Sequence, residues 1–332
     1  MKVSDFEYRL PPETIAQSAI EPRHDSRLLD TRDMSDHRFL ELSELLEPGD
    51  LVVVNETRVR SARLLGRRAG TGGKVELFLL SKRSDGSWEA MARPARRLRA
   101  GVLLEFDGLT ATVQGKQHGM LTVALDSDDE EAAIEQAGKV PLPPYFTGRL
   151  DDDDRYQTMF ARKLGSAAAP TAGLHFTPEV VRRLEEKGIG MARVDLHVSL
   201  DTFRPITTGT VEDHQMHSEW CAVPAETARA VEEAGRVIAV GTTVVRTLES
   251  FAAGPGVVEP GEKSTDLFLM PGSEFRVVDG LVTNFHMPGS TLLVLLAAFM
   301  GDRWREAYET ALARGYRFLS FGDAMYAERD RT

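Results

Sequence analysis

The chain changes its hydrophobic pattern about 58 residues from its start, and this change limits how it can fold. From about residue 58 to 145, short alternating runs such as VELFLL and LTVAL are separated by glycine-rich turns, whereas helical and strand-like segments alternate from about residue 150 onward. Five or six short strands at this spacing predict a small antiparallel barrel or sandwich. Residues 1–50 are too few and too poor in strands to fold alone. We therefore predict an α/β domain built from residues 1–57 and 150–332, with a β-domain of residues 58–149 inserted in it.

Individual elements can be placed in the α/β part from their patterns. Residues 51–54 (LVVV) predict a buried strand. Residues 177–188 predict a helix with Thr177 as its N-cap and Gly188 at its end. A second helix, PAETARAVEEAG, leads directly into the apolar strand 237–241. Such alternation is typical of a parallel sheet.

Composition narrows the class of protein. The chain has 332 residues, a formal net charge of −11 and one Cys. A single Cys excludes a disulfide framework and a multi-thiolate zinc site, and it indicates a reducing compartment. The N-terminal segment MKVSDFEYRL lacks the apolar stretch of a secretory signal. The longest apolar run, Leu292–Met300, is about half a membrane span and predicts a core helix. We therefore expect a cytoplasmic protein with no membrane segment.

Positive charge is concentrated in one segment of this acidic chain. Residues 58–99 contain 12 Lys and Arg against 3 acids, a net charge of +9, so the rest carries −20. Within it, RPARRL at 93–98 lies near Trp88 and Phe106 in sequence, and arginines beside aromatic rings can hold phosphates and stack a base. The alternative is a solvated β-sheet surface whose edges are protected by Arg and Lys.

A strand end in the C-terminal half predicts a binding turn. The apolar strand VIAV ends in Gly241, Thr242 and Thr243 open the next helix, and Arg246 follows one turn later. In α/β proteins ligands gather at the carboxyl ends of strands. Main-chain N–H groups, hydroxyls and a guanidinium there suit a carboxylate or a phosphate. The spacing of a P-loop is absent.

Histidine is the side chain that titrates near neutrality without help, and the chain has eight. His175 precedes a capped helix, His197 lies in DLHVSL, and His286 lies in TNFHMPGST. His214 and His217 are three residues apart and could be a metal pair on a helical turn, or capping or core residues. No third ligand is evident from the spacing, so we predict no metal site.

Many segments occur together in a recognisable order. They are DFEYRLPPETIAQ, EPRHDSRLL, RPARRL, VPLPPY, DRYQTMFA, GSAAAPTAGLHFT, TFRPI, HQMHSE, VIAVGTTVVRTLES, TDLFLMPG, TNFHMPGSTLL and YRFLSFGDAM. In this combination the chain resembles the S-adenosylmethionine:tRNA ribosyltransferase-isomerases of queuosine synthesis, from Asp5 to Met325. One stretch departs from the family's usual THVGLGTFRP, because Leu196, Ser199 and Asp201 replace Thr and two Gly.

The resemblance implies a fold, a reaction and a substrate. The expected fold is a barrel-like α/β main domain with an inserted small antiparallel β-barrel. The expected reaction transfers and isomerises the ribosyl moiety of S-adenosylmethionine onto the 7-aminomethyl-7-deazaguanine wobble base of tRNA. The products are epoxyqueuosine-tRNA, adenine and methionine. The implied tRNAs carry GUN anticodons (Asp, Asn, His and Tyr). We expect S-adenosylmethionine as a substrate, no metal or redox cofactor, and a monomer.

Residue roles follow from what this chemistry demands. Proton transfers need groups with a pKa near neutrality, so we predict His175 and His197 as acid or base, with Asp201, Glu219 or Asp195 as orienting partners and His286 as a third candidate. Three further sets of residues complete the prediction. The cofactor-binding set is Gly241, Thr242, Thr243 and Arg246, the aromatic faces for the sulfonium are Tyr156, Phe176 and Phe285, and the tRNA contacts are Arg58, Arg60, Arg93, Arg96 and Arg97.

Two rival functions remain compatible with the sequence. A transferase that uses S-adenosylmethionine or a nucleoside on a small molecule would act on the free base without tRNA. An RNA-binding accessory protein that has lost catalysis would bind tRNA but release no adenine.

Overall fold

The computed structural model of the chain describes residues 1–117, 119–148, 152–199 and 205–330. Asp201, which we predict to be a site residue, lies outside these ranges. The chain forms two compact units. The first comprises residues 1–58, 144–163 and 169–332, and the second comprises residues 59–143 and 164–168.

Strands outnumber α-helices in the described part of the chain. In order, the strands are β1 Arg27–Asp30, β2 Ser35–Arg38, β3 Asp50–Asn55, β4 Thr57–Val59, β5 Arg63–Arg68, β6 Lys74–Lys82, β7 Trp88–Arg93, β8 Leu103–Glu105, β9 Thr110–Gln117, β10 Met120–Asp126, β11 Gly138–Lys139, β12 Lys163–Ser166, β13 Gly190–Leu196, β14 Glu219–Val223, β15 Arg236–Val240, β16 Ala252–Gly254, β17 Val257–Val258, β18 Gly261–Thr265, β19 Gly280–Asn284 and β20 Ala324–Glu328. The α-helices are α1 Leu42–Leu45, α2 Glu130–Ala137, α3 Pro178–Glu186, α4 Ala225–Glu233, α5 Thr242–Ser250, α6 Thr291–Met300 and α7 Arg303–Ala313. Short 3₁₀ segments include Arg23–Asp25 and Thr171–His175.

The first unit is built on a mixed sheet with the order β18-β14-β13-β3-β15-β19-β20-β1-β2. Strands β13, β3, β15 and β19 are mutually parallel in register, and antiparallel pairs flank them. Every residue of β3 and β19 is buried, as expected for strands covered on both faces. The parallel arrangement predicted from sequence therefore holds for the centre of the sheet, while antiparallel pairs join it to the flanks, where β1 and β20 are again parallel to each other.

The second unit is a closed antiparallel barrel. Strands β5-β6-β7-β10-β9-β8 pair in that order, and β8 pairs back to β5 through Arg67 with Glu105 and Arg68 with Leu104. Alternate residues of β6 point inward to a core that includes Leu77 and Trp88. Closure removes the exposed strand edges that a flat sheet would leave. The fold class, a mixed α/β unit with an inserted antiparallel barrel, is confirmed.

Most element predictions hold, and one cap does not. The apolar run 292–300 is helix α6 and is almost wholly buried. Helix α3 begins after Thr177, but the Thr177 side chain does not cap it. Instead the hydroxyl of Thr177 shares a 2.7 Å hydrogen bond with Nδ1 of His24. None of the helices in the described part of the chain is long and apolar enough to cross a bilayer.

Candidate active site

A cleft of about 600 Å³ lies in the first unit where parallel strands end. Val198 follows β13, Gly241 follows β15, and Asn284 is the last residue of β19. The lining residues are Tyr145, Ala169, Pro170, Thr171, Ala172, Val198, Gly241, Thr242, Thr243, Thr283, Asn284, Phe285, His286, Met287, Ser290, Leu292, Leu319 and Ser320. This position, at the carboxyl ends of parallel strands, is the one where α/β sheets bind ligands.

Gly241 makes the turn that opens this cleft. Its φ of +86° is in a region that L side chains rarely adopt, and an added Cβ would lie 3.4 Å from the side chain of Ala172. Thr242 and Thr243 then begin α5 with its free main-chain N–H groups. The amide of Asn55 donates to the hydroxyl of Thr243 over 3.4 Å. The structure thus brings the predicted Gly241, Thr242 and Thr243 together at the cleft.

Arg246 does not join them. Its side chain is 4% exposed and forms a buried ion pair with Glu219, while its Nε donates to the carbonyl of Leu267 over 3.1 Å. Glu219 also accepts the main-chain N–H of Ser199 at 2.7 Å. Nη2 of Arg246 is buried and has no hydrogen-bond partner in the described parts of the chain, but the ion pair with Glu219 holds the guanidinium inside the unit, and Arg246 is absent from the cleft lining.

His286 is the predicted histidine that lines the cleft. Its Nε2 lies 3.1 Å from the hydroxyl of Thr283. Tyr8 donates its hydroxyl to the His286 carbonyl over 2.5 Å, and the His286 N–H donates to the Tyr308 hydroxyl over 2.8 Å. Burial lowers the pKa of His286 to about 3. This imidazole is therefore neutral at physiological pH and offers a hydrogen bond rather than a charge.

His175 is held on both ring nitrogens. The amide nitrogen of Asn284 lies 3.0 Å from Nε2 and donates to it, so Nδ1 carries the proton and donates to Ser26 Oγ at 2.8 Å. The ring stacks on Phe39 with centroids 4.9 Å apart. Burial, with contributions from Arg317 and Arg23, lowers the pKa of His175 to about 3. The imidazole is thus a neutral link that fixes Asn284 at the cleft.

A third imidazole, that of His197, lies beside a buried acid. His197 Nε2 lies 3.8 Å from Asp195 Oδ1, and its ring lies 4.5 Å from the ring of Trp220. Lys163 Nζ lies 3.9 Å from Asp195 Oδ2 and 3.1 Å from Glu56 Oε1. Burial raises the pKa of Asp195 to about 6, with Lys163 opposing and Glu56 adding to the shift. Burial therefore brings the pKa of Asp195 towards neutrality, and Asp195 lies three residues before Val198 of the cleft wall.

Comparison with known proteins identifies the family. A family model described as "Queuosine biosynthesis protein" matches residues 3–327. The chain belongs to this family. A relative from Rubrobacter xylanophilus named S-adenosylmethionine:tRNA ribosyltransferase-isomerase is 52% identical over 330 residues, covering 98% of this chain and 97% of that protein. One of the same name from Desulfitobacterium hafniense is 46% identical over 344 residues, covering 98% and 99%.

A solved structure supports the same assignment. The crystal structure of an S-adenosylmethionine tRNA ribosyltransferase from Thermotoga maritima matches with a TM-score of 0.54 and 38% identity. The match covers 97% of this chain and 99% of that one. The resemblance drawn from the sequence motifs is thereby confirmed across nearly the whole chain.

The aromatic residues predicted for this queuosine biosynthesis protein separate into two groups. Phe285 belongs to the cleft wall, but its side chain is fully buried and its ring packs against Tyr308 and Phe318. Phe176 is 2% exposed and packs edge-on against Phe39 and Phe160 in the core. Tyr156 is fully buried, and its ring lies 5.8 Å from that of Phe321. Only Phe285 of these three lies among the described residues of the cleft wall.

The predicted tRNA-binding arginines also differ in what they contact. Arg93, Arg96 and Arg97 are exposed on the barrel, and no ion pair involves Arg96 or Arg97 in the described parts of the chain. Arg60 is held by two 3.0 Å hydrogen bonds to Glu131 and lies 5.0 Å from the ring of Trp88. Arg58 Nη2 is 3.8 Å from Asp154. Arg96 and Arg97 are therefore exposed cations without an ion-pair partner in the described parts of the chain.

His214 and His217 are not on a helical turn, since residues 214–218 form an irregular segment. The ring of His214 packs against Phe268 with centroids 5.7 Å apart. Within residues 1–117, 119–148, 152–199 and 205–330, no group of three His, Cys, Asp or Glu side chains could hold a metal ion.

Sequence reasoning did not single out several polar residues of the cleft. The Thr171 hydroxyl donates to Asn284 Oδ1 at 3.0 Å, and the hydroxyls of Tyr145 and Ser320 share a 2.5 Å hydrogen bond. Each lies within or beside a segment that carried the family resemblance, such as TNFHMPGST or YRFLSFGDAM. That location was the available signal, because none of these residue types has a distinctive motif of its own.

Proposed function

We propose that this protein is an S-adenosylmethionine:tRNA ribosyltransferase-isomerase. It transfers and isomerises the ribosyl moiety of S-adenosylmethionine onto the 7-aminomethyl-7-deazaguanine wobble base of tRNA, yielding epoxyqueuosine-tRNA, adenine and methionine. The observation that carries this proposal is the match of relatives bearing that name over nearly the full length of both chains. The cleft at the strand ends supplies a place for the nucleoside.

The cleft residues fit the donor part by part. The hydroxyls and main-chain N–H groups of Thr242 and Thr243 bind the ribose hydroxyls, and Gly241 allows the backbone to approach the sugar. Phe285 is packed on Tyr308, Tyr316 and Phe318 and supports the cleft wall from behind, so the sulfonium is held without an open aromatic face among the three predicted rings. Asn284, whose amide nitrogen donates to His175 and to the Asp323 carbonyl, offers the second lone pair of its Oδ1 to a hydrogen-bond donor of the bound nucleoside.

Proton transfers are divided among the histidines by their environment. The substrate amine resembles that of Lys and is mostly protonated at pH 7, and the departing adenine needs a proton. The His197–Asp195 pair exchanges these protons, because Asp195 has a pKa of about 6, near the working pH. His286, which stays neutral, orients the reacting groups through hydrogen bonds. Asp201 is a further orienting group in this proposal.

The tRNA is recognised by the basic barrel. Arg93, Arg96 and Arg97 contact phosphates of the anticodon stem-loop, with Arg58 and Arg60 as secondary contacts. The substrates are tRNAs for Asp, Asn, His and Tyr, with GUN anticodons. The protein acts as a cytoplasmic monomer and uses no metal or redox cofactor.

One assay tests the proposal against its rivals. The protein is incubated with S-adenosylmethionine and tRNA bearing the precursor base, and free adenine, methionine and the mass of the wobble nucleoside are measured. The proposed reaction gives equal amounts of adenine and methionine and a mass gain on the tRNA. Activity on the free base alone identifies a small-molecule transferase. Binding of tRNA without adenine release identifies an accessory protein.

A further inference from the structure

A second, smaller cavity adjoins the cleft and contains two arginines. We call it the arginine pocket: it has a volume of about 230 Å³, and its lining includes Arg23, Arg317, Ser26, His175 and Ser320. Arg23 belongs to the segment EPRHDSRLL and Arg317 to YRFLSFGDAM, so opposite ends of the chain meet here.

Arg317 brings to this pocket a buried terminal nitrogen without a hydrogen-bond acceptor among the described residues, although Asp323 lies close enough to offset part of its charge. Nη2 of Arg317 is buried and has no hydrogen-bond partner in the described parts of the chain, and Asp323 Oδ1 lies 3.9 Å from it. The Asp323 carboxylate already accepts the main-chain N–H groups of Arg27 at 3.0 Å and Arg317 at 2.7 Å. A buried donor on a cation that lacks an acceptor indicates a place for an anion.

Arg23 adds to this positive potential. Its two terminal nitrogens donate to the carbonyls of Gln157 at 3.0 Å and Arg155 at 2.9 Å. These carbonyl groups fix the guanidinium in place, while Glu21 and Asp152 offset part of its charge. His175 stays neutral beside it, since burial and both arginines lower the pKa of its ring to about 3.

The size and walls of the arginine pocket indicate what kind of anion enters. The arginine pocket is much smaller than the cleft, so it accepts a small group rather than a nucleoside. Apolar side chains, among them Ile20, Leu174 and Phe321, line the rest of its wall. A guanidinium fork matches a planar carboxylate in two parallel hydrogen bonds. A carboxylate on a short alkyl chain fits both features.

The arginine pocket and the cleft are joined through shared residues. Ser320 lines both, and it is hydrogen-bonded to Tyr145 of the cleft. His175 of the arginine pocket is bonded to Asn284 of the cleft. The two cavities therefore share a wall at Ser320, and a ligand bound in the cleft lies next to the arginine pocket.

We propose that the arginine pocket binds the carboxylate of the methionyl part of S-adenosylmethionine, with Arg317 and Arg23 as its cationic partners. This rests on the proposed function for the identity of the donor. It also accounts for the carboxylate without Arg246, whose guanidinium is engaged by Glu219.

The test compares two donors that differ only in the carboxylate. Dissociation constants of S-adenosylmethionine and decarboxylated S-adenosylmethionine are measured by equilibrium dialysis, with and without a tRNA that lacks the precursor base, so that no turnover occurs. Wild-type protein should prefer the carboxylated donor by about 10- to 100-fold, as expected for charge-assisted hydrogen bonds. In Arg317→Gln and Arg23→Gln, this preference should fall to within about threefold of unity.

Controls separate the carboxylate from other effects. Methylthioadenosine, which lacks the amino-acid part, should bind wild-type and Arg317→Gln alike, and this also reports whether the variant is folded. Arg182→Gln removes an exposed arginine on α3, outside both cavities, and should leave the preference unchanged. Arg317→Lys should keep part of the preference because it keeps the charge.

Three results would overturn the proposal. The first is an unchanged preference in both variants, and the second is no binding of either donor to the wild-type protein under either condition. The third is a rise in the KM for tRNA in the variants while donor affinity stays constant, which would indicate a phosphate as the anion. The proposed function fails on a different result, namely no adenine release from precursor-bearing tRNA, and in that case a retained donor preference would still place the carboxylate here.

Discussion

Asp195 is a carboxylate that the fold removes from water without giving it a hydrogen bond in the described parts of the chain. Its pKa rises from 3.8 to about 6 in the folded protein. Between these values the folded chain holds a proton that the unfolded chain has released. Raising the pH through this window therefore lowers the free energy of unfolding, by at most about 1.4 kcal/mol per pH unit.

Asp195→Asn should remove this pH dependence, because an amide does not ionise. We expect the free energy of unfolding of the variant to change less than that of wild type between pH 4 and 6, as measured by urea titration at several pH values. Asp302→Asn, which alters an exposed carboxylate with no capping hydrogen bond, should follow wild type. An identical pH dependence in Asp195→Asn and wild type would show that Asp195 ionises normally.

Replacing His197 should mainly lower the reaction rate, whereas replacing His175 should mainly lower the stability of the fold. His197 is partly exposed beside Asp195, so His197→Ala should lower the single-turnover rate about 100-fold with little change in Tm. His175 is buried between Ser26 and Asn284, so His175→Ala should cost about 2–4 kcal/mol of stability. Single-turnover rates and thermal melts of both variants check the contrast, and a normal rate in His197→Ala would exclude it from proton transfer.

At the level of elements, the backbone conformation at the junction of β15 and α5 determines the shape of the cleft wall there. Gly241→Ala places a side chain in a conformation nearly reserved for glycine and against Ala172. We expect a loss of about 1–3 kcal/mol in stability and weaker donor binding, measured by urea titration and equilibrium dialysis. Gly209→Ala, where an added Cβ meets open space, is the matched control. Equal donor affinity in both variants would indicate that the turn does not contact the donor.

The strand and the helix at this junction could be predicted from the sequence, whereas the long-range contacts between residues of the cleft could not. Strand 237–241 and its Gly-Thr-Thr ending follow local rules that the sequence carries in one short stretch. Asn284 and Thr171 come from segments over 100 residues apart, and their contact depends on how β19 packs beside Thr171–His175. Local patterns also miss competition between partners, as when Thr177 binds His24 rather than capping α3.

The same limit applies to Arg246. Its position one turn into α5 is correct from the sequence, and helix geometry alone would allow it to face a ligand at the helix start. Glu219 lies 27 residues before it on β14, and the ion pair between them exists only once the sheet has assembled. The sequence therefore predicts which charged residues are near the site, while the folded sheet decides which of them remain available.

For the whole molecule, closure of the barrel depends on pairing between β5 and β8, strands about 40 residues apart. Short alternating strands predict either a barrel or a sandwich, and only this pairing, or the family resemblance, distinguishes them. The order of the large sheet likewise places β20 from the end of the chain beside β1 from its beginning. Such contacts have no local signature in the sequence.

The distribution of charge over the whole molecule predicts how it binds RNA. The chain carries −11 overall, but residues 58–99 carry +9, so binding should depend on specific cations rather than on bulk attraction. Neutralising Arg96 and Arg97 together by Arg→Ala should raise the KM for tRNA several-fold. It should also reduce the slope of log affinity against log salt by about 1.5, the value expected for two phosphate contacts.

A matched variant on the same barrel tests whether position matters more than charge. Arg67 is 68% exposed but is paired with Glu105 at 3.0 Å, so Arg67→Ala should change the salt slope far less than the double variant. Binding is measured by filter retention of tRNA at several salt concentrations, and donor affinity should stay constant in all variants. Equal salt slopes in wild type and the double variant would remove this face from tRNA binding. A slope that falls equally in Arg67→Ala would show that the barrel attracts RNA through its total charge rather than through Arg96 and Arg97.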